Sequence, residues 1–520
     1  MHPEARRGWA RDWPAFAVIA AATIAARLPF LLRADRFFDA DEAVEGLMAR
    51  HVSLGEHPLF LWGQRYKGVP EVYLSNLVFH AAGPTAVALK SVTLVCFVVF
   101  LLLNFRLIER MFSRRVAWMA TAFFVAGPPS LVHWTLSGSA EIVMTLLAGA
   151  VLLLGIVAWR RTGSRRGELV AAAAAGFGLW VHSYILYYIV SLAVTAAVIR
   201  PNWRELAMNA VRGLPRWLRG SIAIVAAVGA LYIVLGLIAF FVQGGVIVSV
   251  GEIRIAVTHP QKMWWIAGAL FAAAFAIVVA GVRRGELIAP GLAFLAGYAP
   301  ALAGRIGNSG LGAPIYRLDF ASLTAAWPDM TGVMLPMLLG FRDPMARRTV
   351  IAPLVLAVLA LLVVSYVSVG RRRLPPFFHV FPIVAIAMFL ASGSYIDPQT
   401  YRYLMPVYAA LPVIYAVGVD AVSRSSRAAG AVLFTFMLML FGAQQLGWYQ
   451  HLEPDAESPA AIACLDRAGI RVARAGYWQS YKVSFLTGER IVVSPADGFD
   501  RYPPYAALTA GSRDIADICR

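Results

Sequence analysis

Asp39, Asp41 and Glu42 sit together in Phe38-Asp39-Ala40-Asp41-Glu42, and Glu141 follows His133-Trp134-Thr135-Leu136-Ser137-Gly138-Ser139 at the start of a later apolar run. A carboxylate held just outside lipid can act as a general base toward a hydroxyl brought to it by a membrane-bound substrate. The plain alternative is a helix N-terminus carrying the acids that its backbone N–H groups favour. If Glu141 lies at the same depth as Asp41, then Glu42 and Glu141 converge with it on one outward pocket, where they orient an acceptor or hold a divalent ion.

Cations accompany these acids. Arg65 and Lys67 stand in Gly63-Gln64-Arg65-Tyr66-Lys67-Gly68-Val69-Pro70, Arg305 and Arg317 in a later connection, and Arg402 in Thr400-Tyr401-Arg402-Tyr403-Leu404-Met405-Pro406. Guanidinium and ammonium groups pair strongly with phosphate oxygens, so Arg65, Lys67 and above all Arg402 are candidates for a phosphate clamp. Lipid head-group contact is the alternative. Tyr66 and Tyr403 adjoin the cations, although they and Trp327 equally suit an interfacial aromatic belt. His182 reads more readily as a hydrogen-bonded residue at a helix break than as a ligand, and no His/Cys spacing resembles a metal site.

The elements that must position these groups cross a membrane. Mean hydropathy is +0.67, 59% of the 520 residues are hydrophobic and only 14% are charged, which excludes an ordinary soluble domain. Apolar windows of the length a bilayer requires fall at 14–32, 86–105, 116–134, 141–159, 169–181, 184–199, 221–242, 263–282, 287–303, 350–369, 376–392, 403–419 and 428–447. These predict a polytopic α-helical membrane protein of about thirteen transmembrane helices. The fifth and sixth are short and share the break at His182-Ser183.

The net charge of +17 would suit nucleic acid, but its distribution does not. Arginines recur in every second connection, beginning with Arg6, Arg7 and Arg11, as expected where Lys and Arg stay cytoplasmic. The N-terminus is therefore expected in the cytoplasm and the tail from 448 outside an inner (plasma) membrane, with connections 33–85 and 304–349 also outside. Arg347 and Arg348 break the alternation. The first apolar run ends at Arg33 without a small-residue cleavage site, so it reads as a retained span rather than a signal peptide.

Connection 33–85 is expected to hold two short amphipathic helices lying on the membrane surface. In the first, Val44, Leu47, Met48 and His51 share one face while Glu42 and Glu45 occupy another. From 448 to 520 charges return and turn signals appear, giving helix 459–468, a strand near 471–475, helix 477–486 and strand 489–494. This reads as a small extracytoplasmic α/β domain following a membrane domain of residues 1–447. Its Cys464 and Cys519 could pair in an oxidising compartment, but two unpaired thiols read as the better alternative.

Taken together, the outward Asp41-Glu42 pair, the Ala-rich helix behind it, Tyr66-Lys67-Gly68-Val69-Pro70 and Arg402-Tyr403-Leu404-Met405-Pro406 resemble glycosyltransferases of the GT-C fold. More narrowly they are similar to the protein O-mannosyltransferase and lipid A aminoarabinose transferase superfamily. That resemblance implies an enzyme taking a sugar from a polyprenyl-phosphate carrier to an acceptor in a glycan, lipid or protein, on the outer side. It implies that Asp41 is the catalytic aspartate, with Glu42 its neighbour and Glu141 the acid opening the fourth span. Glu71-Val72-Tyr73 after the Tyr-x-Gly-x-Pro element, and Glu rather than Asp at 141, depart from the pattern and leave the substrate open. A lipid-linked sugar flippase or a non-catalytic assembly subunit is the competing class; transporters place ionisable groups near mid-membrane, whereas these acids lie at the boundary.

Overall fold

The computed structural model describes residues 3–199, 208–209, 211–242, 246–250, 253–257, 286–305, 320–342, 352–372, 374–393, 395, 397–498 and 500–519, with some positions between 260 and 274. Arg317, Arg347, Arg348, most of the expected span 263–282 and the side chain of Arg305 lie outside the described residues.

In chain order the elements are α1 (Pro3–Leu31), a 3₁₀ turn (Ala34–Phe37), α2 (Ala40–Ser53), the hairpin β1 (Phe60–Leu61) and β2 (Gln64–Gly68), α3 (Pro70–Ala82), α4 (Ala86–Met111), α5 (Arg114–Val125), α6 (Pro129–Trp134), α7 (Glu141–Thr162), α8 (Arg165–Val181) and α9 (Ile185–Ile199). There follow α10 (Arg216–Phe241), the antiparallel pair β3 (Val246–Val250) and β4 (Ile253–Val257), α11 (Ile288–Arg305), α12 (Phe320–Asp329), α13 (Ala352–Arg372), α14 (Phe377–Ser392), a 3₁₀ run (Pro398–Ala409), α15 (Leu411–Ser425) and α16 (Arg427–Gln450). The tail adds α17 (Glu457–Arg467), β5 (Val472–Ala475), α18 (Tyr477–Leu486), β6 (Val492–Pro495), α19 (Pro503–Leu508) and α20 (Ile515–Ile518).

Among the described residues six helices are long and apolar enough to cross a membrane, and the 3₁₀ run with α15, bent by 51°, makes a seventh crossing if counted as one. Three shorter apolar helices, Ile185–Ile199, Ile288–Gly304 and Phe377–Ser392, accompany them. The expected span 116–134 is not one helix. Gly127-Pro128-Pro129 interrupts it because proline has no N–H to continue the ladder. In lipid such a break is tolerated only where the freed carbonyls find donors. Buried Arg27 of α1 supplies them, donating to the carbonyls of Phe124, at 2.9 Å, and of Val125, while Gln445 of α16 donates to Gly127 at 2.5 Å.

Helices α7 and α8 meet backbone to backbone through small residues, the usual means of close packing where lipid removes the hydrophobic drive. A Cβ on Gly155 would fall 2.6 Å from the carbonyl oxygen of Gly167. The main core draws on α1, α4 to α9, α13 to α15 and the 3₁₀ run. A second core joins α2, the hairpin, α3 and the start of α4 to Tyr477, Tyr481 and Phe485 of α18.

That second core corrects the reading of α2. The helix is not a surface element with acids facing water; Glu42 and Glu45 are as buried as Val44 and Leu47. Its outer face is roofed by α18, so close that a Cβ on Gly46 would overlap the Phe485 ring. Helix α3 is the one that keeps an apolar open face, with Leu74 and Leu77 exposed.

In the tail β5 and β6 pair in parallel, Val472 opposite Val492, with α18 between them in sequence. Strand β6 starts three residues later than expected because Gly488 and Glu489 both take positive φ, 59° and 63°, and turn the chain first. Cys464 and Cys519 form a disulfide, against the expectation of two thiols, since α17 and α20 pack together and bring their Cα atoms to 5.9 Å.

Candidate active site

The N-terminal ends of α2, α4 and α7, the hairpin, the 3₁₀ run and the tail converge on the acids singled out above. Asp39 is the N-cap of α2 and accepts the N–H of Glu42 at 2.9 Å, which fixes where the helix begins. Burial raises its carboxyl above the ordinary aspartate value, and the charge of Asp41 adds to this. Asp39 thus serves the helix.

Asp41 has a different setting. Its side chain is 24% exposed and faces cations from two distant segments: Nη1 of Arg402 is 3.9 Å from Oδ2, and Nη2 of Arg501 is 3.7 Å from Oδ1. Both separations exceed a hydrogen bond. The hydroxyl of Tyr477 donates to Oδ1, and Nε of Arg501 donates to that same hydroxyl at 3.1 Å. Gln64 on β2, with its amide oxygen turned toward them, accepts from Arg501 and from the hydroxyl of Tyr66. Arg402 also lies against the ring of Tyr403, 5.5 Å from its centroid.

Glu42, expected beside an acceptor, is instead sealed. Lys90 of α4 donates to both of its oxygens, at 2.7 and 2.5 Å, and also to the carbonyl of Phe37, with neither charged side chain reaching solvent. Burial pushes the Glu42 carboxyl up to about 8, against the pull of Lys90.

Lys67, expected at a donor phosphate, is enclosed by acids. Its Nζ donates to Glu45 at 2.6 Å and to Oγ of Ser139 at 2.7 Å, and lies 3.0 Å from Glu141. Glu45 accepts from Ser139 as well, at 2.8 Å. Burial works against the Lys67 ammonium, but the charges of Glu141 and Glu45 outweigh it and hold its pKa well above the ordinary lysine value. Glu71, at the start of α3, is wholly buried with neither carboxyl oxygen hydrogen-bonded to another side chain. Burial, then the charge of Glu45, raises its pKa well above the ordinary carboxylate value. Gly68 lets the hairpin reach this position, because a Cβ there would fall 2.5 Å from the Trp180 carbonyl oxygen.

Glu141 therefore joins Lys67 rather than Asp41, and Arg65 lies half-buried on β2. His182 caps α8: its Nδ1 accepts the N–H of Tyr184 at 3.2 Å, and burial pulls the imidazole down to about 4, keeping it neutral. No group of three or more His, Cys, Asp or Glu side chains among the described residues is arranged to hold a metal ion; the space between Glu45 and Glu141 is filled by the Lys67 ammonium.

Glu45, Glu71, Ser139, Lys90, Tyr477 and Arg501 were not singled out from sequence. Lys90 carried a signal, being a charge inside an apolar run, which is costly without a partner. Glu45 follows Glu42 at helical spacing. Tyr477 carried none, since 436 residues separate it from Asp41.

The sequence matches no protein-family model and no curated protein. The fold has solved counterparts. It superposes on ArnT from Cupriavidus metallidurans bound to undecaprenyl phosphate with a TM-score of 0.57 and 12% identity, over 98% of this chain and 90% of that one. The apo state of the same protein gives 0.50 and 12%, over 99% and 90%. The Archaeoglobus fulgidus oligosaccharyltransferase in complex with Zn and sulfate gives 0.51 and 13%, over 94% of this chain and 62% of that protein. At these identities the likeness concerns architecture: the chain is a polytopic helical membrane protein with the GT-C fold that these glycosyltransferases share.

Proposed function

From that shared architecture we propose that this chain is a membrane glycosyltransferase that moves a sugar from a polyprenyl-phosphate carrier to an acceptor hydroxyl on the outer face, with inversion. The observation that carries this is the contrast around Asp41. It is the carboxylate kept partly open beside two guanidiniums that do not bond it directly, whereas Glu42, Glu45 and Glu71 are sealed.

In the proposed step the acceptor oxygen bonds to the anomeric carbon as the bond from that carbon to the phosphate oxygen breaks. The electron pair leaves with the phosphate and the hydroxyl proton passes to Asp41. Polyprenyl phosphate is a good leaving group, so charge stabilisation matters more than acid catalysis. Arg402 is the cation assigned to the phosphate. The disulfide in the tail supports an oxidising, extracytoplasmic side for this site.

The test is turnover by the purified protein on undecaprenyl-phosphate-linked hexoses and pentoses, read as release of undecaprenyl phosphate. Asp41→Asn is expected to lower transfer by about 10²-fold or more while donor binding survives. Arg402→Ala is expected to weaken donor binding by about 1.5–3 kcal/mol, the range for a hydrogen bond to a charged group. Movement of the lipid-linked sugar across a vesicle without release of the carrier would point to a flippase instead.

A further inference from the structure

We infer that Tyr477 and Arg501 are positioning residues of the transfer reaction: a relay from the tail occupies Oδ1 of Asp41 and leaves Oδ2 to receive the acceptor proton. This rests on the reading of Asp41 as the base.

A carboxylate free to turn about its last torsion offers either oxygen in any orientation. Here the Tyr477 hydroxyl bonds Oδ1 and pins the carboxyl plane, and among the described residues no hydrogen bond reaches Oδ2. Arg501 donates into the Tyr477 hydroxyl, which polarises that O–H and strengthens its own donation. The Arg501 guanidinium also stacks against the Tyr477 ring, 5.4 Å from its centroid. A base fixed in advance needs no reorganisation when the acceptor arrives, which is where positioned groups contribute most to rate.

The relay is itself held rigidly. The N–H of Tyr477 donates to Asp497 at 2.8 Å, fixing the first turn of α18. The N–H of Arg501 donates to the Tyr481 hydroxyl at 2.6 Å, and that hydroxyl donates to Asp500 at 3.0 Å. On the other side the turn at Gly63 abuts the Arg501 backbone, where a Cβ on Gly63 would lie 3.3 Å from the Arg501 Cα. Residues whose only task was to attach the tail would not need a hydroxyl aimed at a partly open carboxylate of this acidic cluster.

The experiment is a double-mutant cycle on steady-state transfer, using whichever undecaprenyl-phosphate-linked sugar the unaltered protein turns over. Tyr477→Phe keeps the ring and removes the donor; kcat is expected to fall about tenfold while the donor KM stays within about twofold. Arg501→Gln, which retains the backbone bond to Tyr481, is expected to lower kcat in the same direction by less. In the Asp41→Asn background Tyr477→Phe is expected to change nothing further, because the oxygen it positions is no longer a base. A full kcat in Tyr477→Phe, or an equal loss in both backgrounds, overturns the inference and leaves the base assignment standing. No turnover by the unaltered protein, or near-full turnover by Asp41→Asn, overturns the base assignment and the inference with it.

Discussion

Helix α4 carries a cation near each end, Lys90 and Arg106, about 24 Å apart along its axis at the usual helical rise, and their surroundings differ. At the Arg106 end each acid is shared between two arginines. Asp12 bonds both Arg106 and Arg114, Glu109 lies 3.2 and 3.0 Å from the same two arginines, and nearby Asp420 meets Arg372 at 3.3 Å and Arg424 at 3.0 Å. At the Lys90 end acids outnumber cations: among the described residues Lys67 is the cation that pairs with both Glu45 and Glu141, with Glu71 beside them. Such shared acids fasten helices together. Where acids are in excess, burial and like charge raise the pKa of Glu71, while Asp41 stays partly open between Arg402 and Arg501.

The sharpest way to break the crowded end is to unpair its one closed couple. Lys90→Met removes the one donor shared by the Phe37 carbonyl and both oxygens of Glu42, whose carboxyl pKa burial already holds at about 8, and is expected to cost about 3 kcal/mol or more, since each buried acceptor left unsatisfied costs about 1–3 kcal/mol. Thermal unfolding in detergent reads this; an unchanged midpoint would mean that the pair is not what holds α2 to α4.

At the Arg106 end Asp12→Asn is expected to cost about 1.5–3 kcal/mol of stability through its charged hydrogen bonds, with transfer kinetics unchanged. A loss of kcat without a loss of stability would erase the distinction between the ends.

The tail is fastened to α2 by a third, titratable junction. His51 lies between Glu56 and Glu489, 2.8 Å from each, and Tyr505 and Arg50 also bond Glu489. Burial pulls the imidazolium down, but its hydrogen bonds to Glu489 and Glu56 outweigh it and raise the pKa above 6.5. Burial pushes Glu489 up, and the bonds from His51 and Tyr505 override that and bring it to about 2. A raised imidazole contributes fully below 6.5 and loses that contribution as pH climbs through its folded value. A depressed carboxylate contributes above 4.5 and loses it as pH falls toward 2. Docking of the tail, read by limited proteolysis, is therefore expected to be firmest between 4.5 and 6.5 and to loosen on alkaline titration. His51→Gln should flatten the alkaline side.

The smallest effect belongs to Glu71. Its folded pKa lies well above its unfolded value, so the unfolded chain releases the proton first and stability falls as pH rises above 4.5. Glu71→Gln, which resembles the protonated acid, is expected to cost under about 1 kcal/mol near pH 5 and to gain on the unaltered protein as pH rises. A growing deficit instead would mean that Glu71 is ionised and Lys67 is shared three ways.

Much of the architecture was written locally. Hydrophobic run length marked the protein as a polytopic helical membrane protein, although of the thirteen expected spans the described residues show six helices long and apolar enough to cross, or seven with the bent pair; alternating Arg-rich connections gave an expected topology. Period and turn residues located the tail helix Tyr477–Leu486 at its full extent, and the Asp41-Glu42 pair drew attention to the outer face. These features depend on a residue and its near neighbours, which a sequence displays. What the sequence did not display was who meets whom. Whether Glu42 faces an acceptor or Lys90, whether Lys67 faces a phosphate or Glu45, and whether Tyr477 belongs to a remote appendage or to Asp41 are settled by packing between segments up to 436 residues apart. Charge is visible in the chain, but pairing and burial arise only when α18 closes over α2, and these separate an open carboxylate from a sealed one.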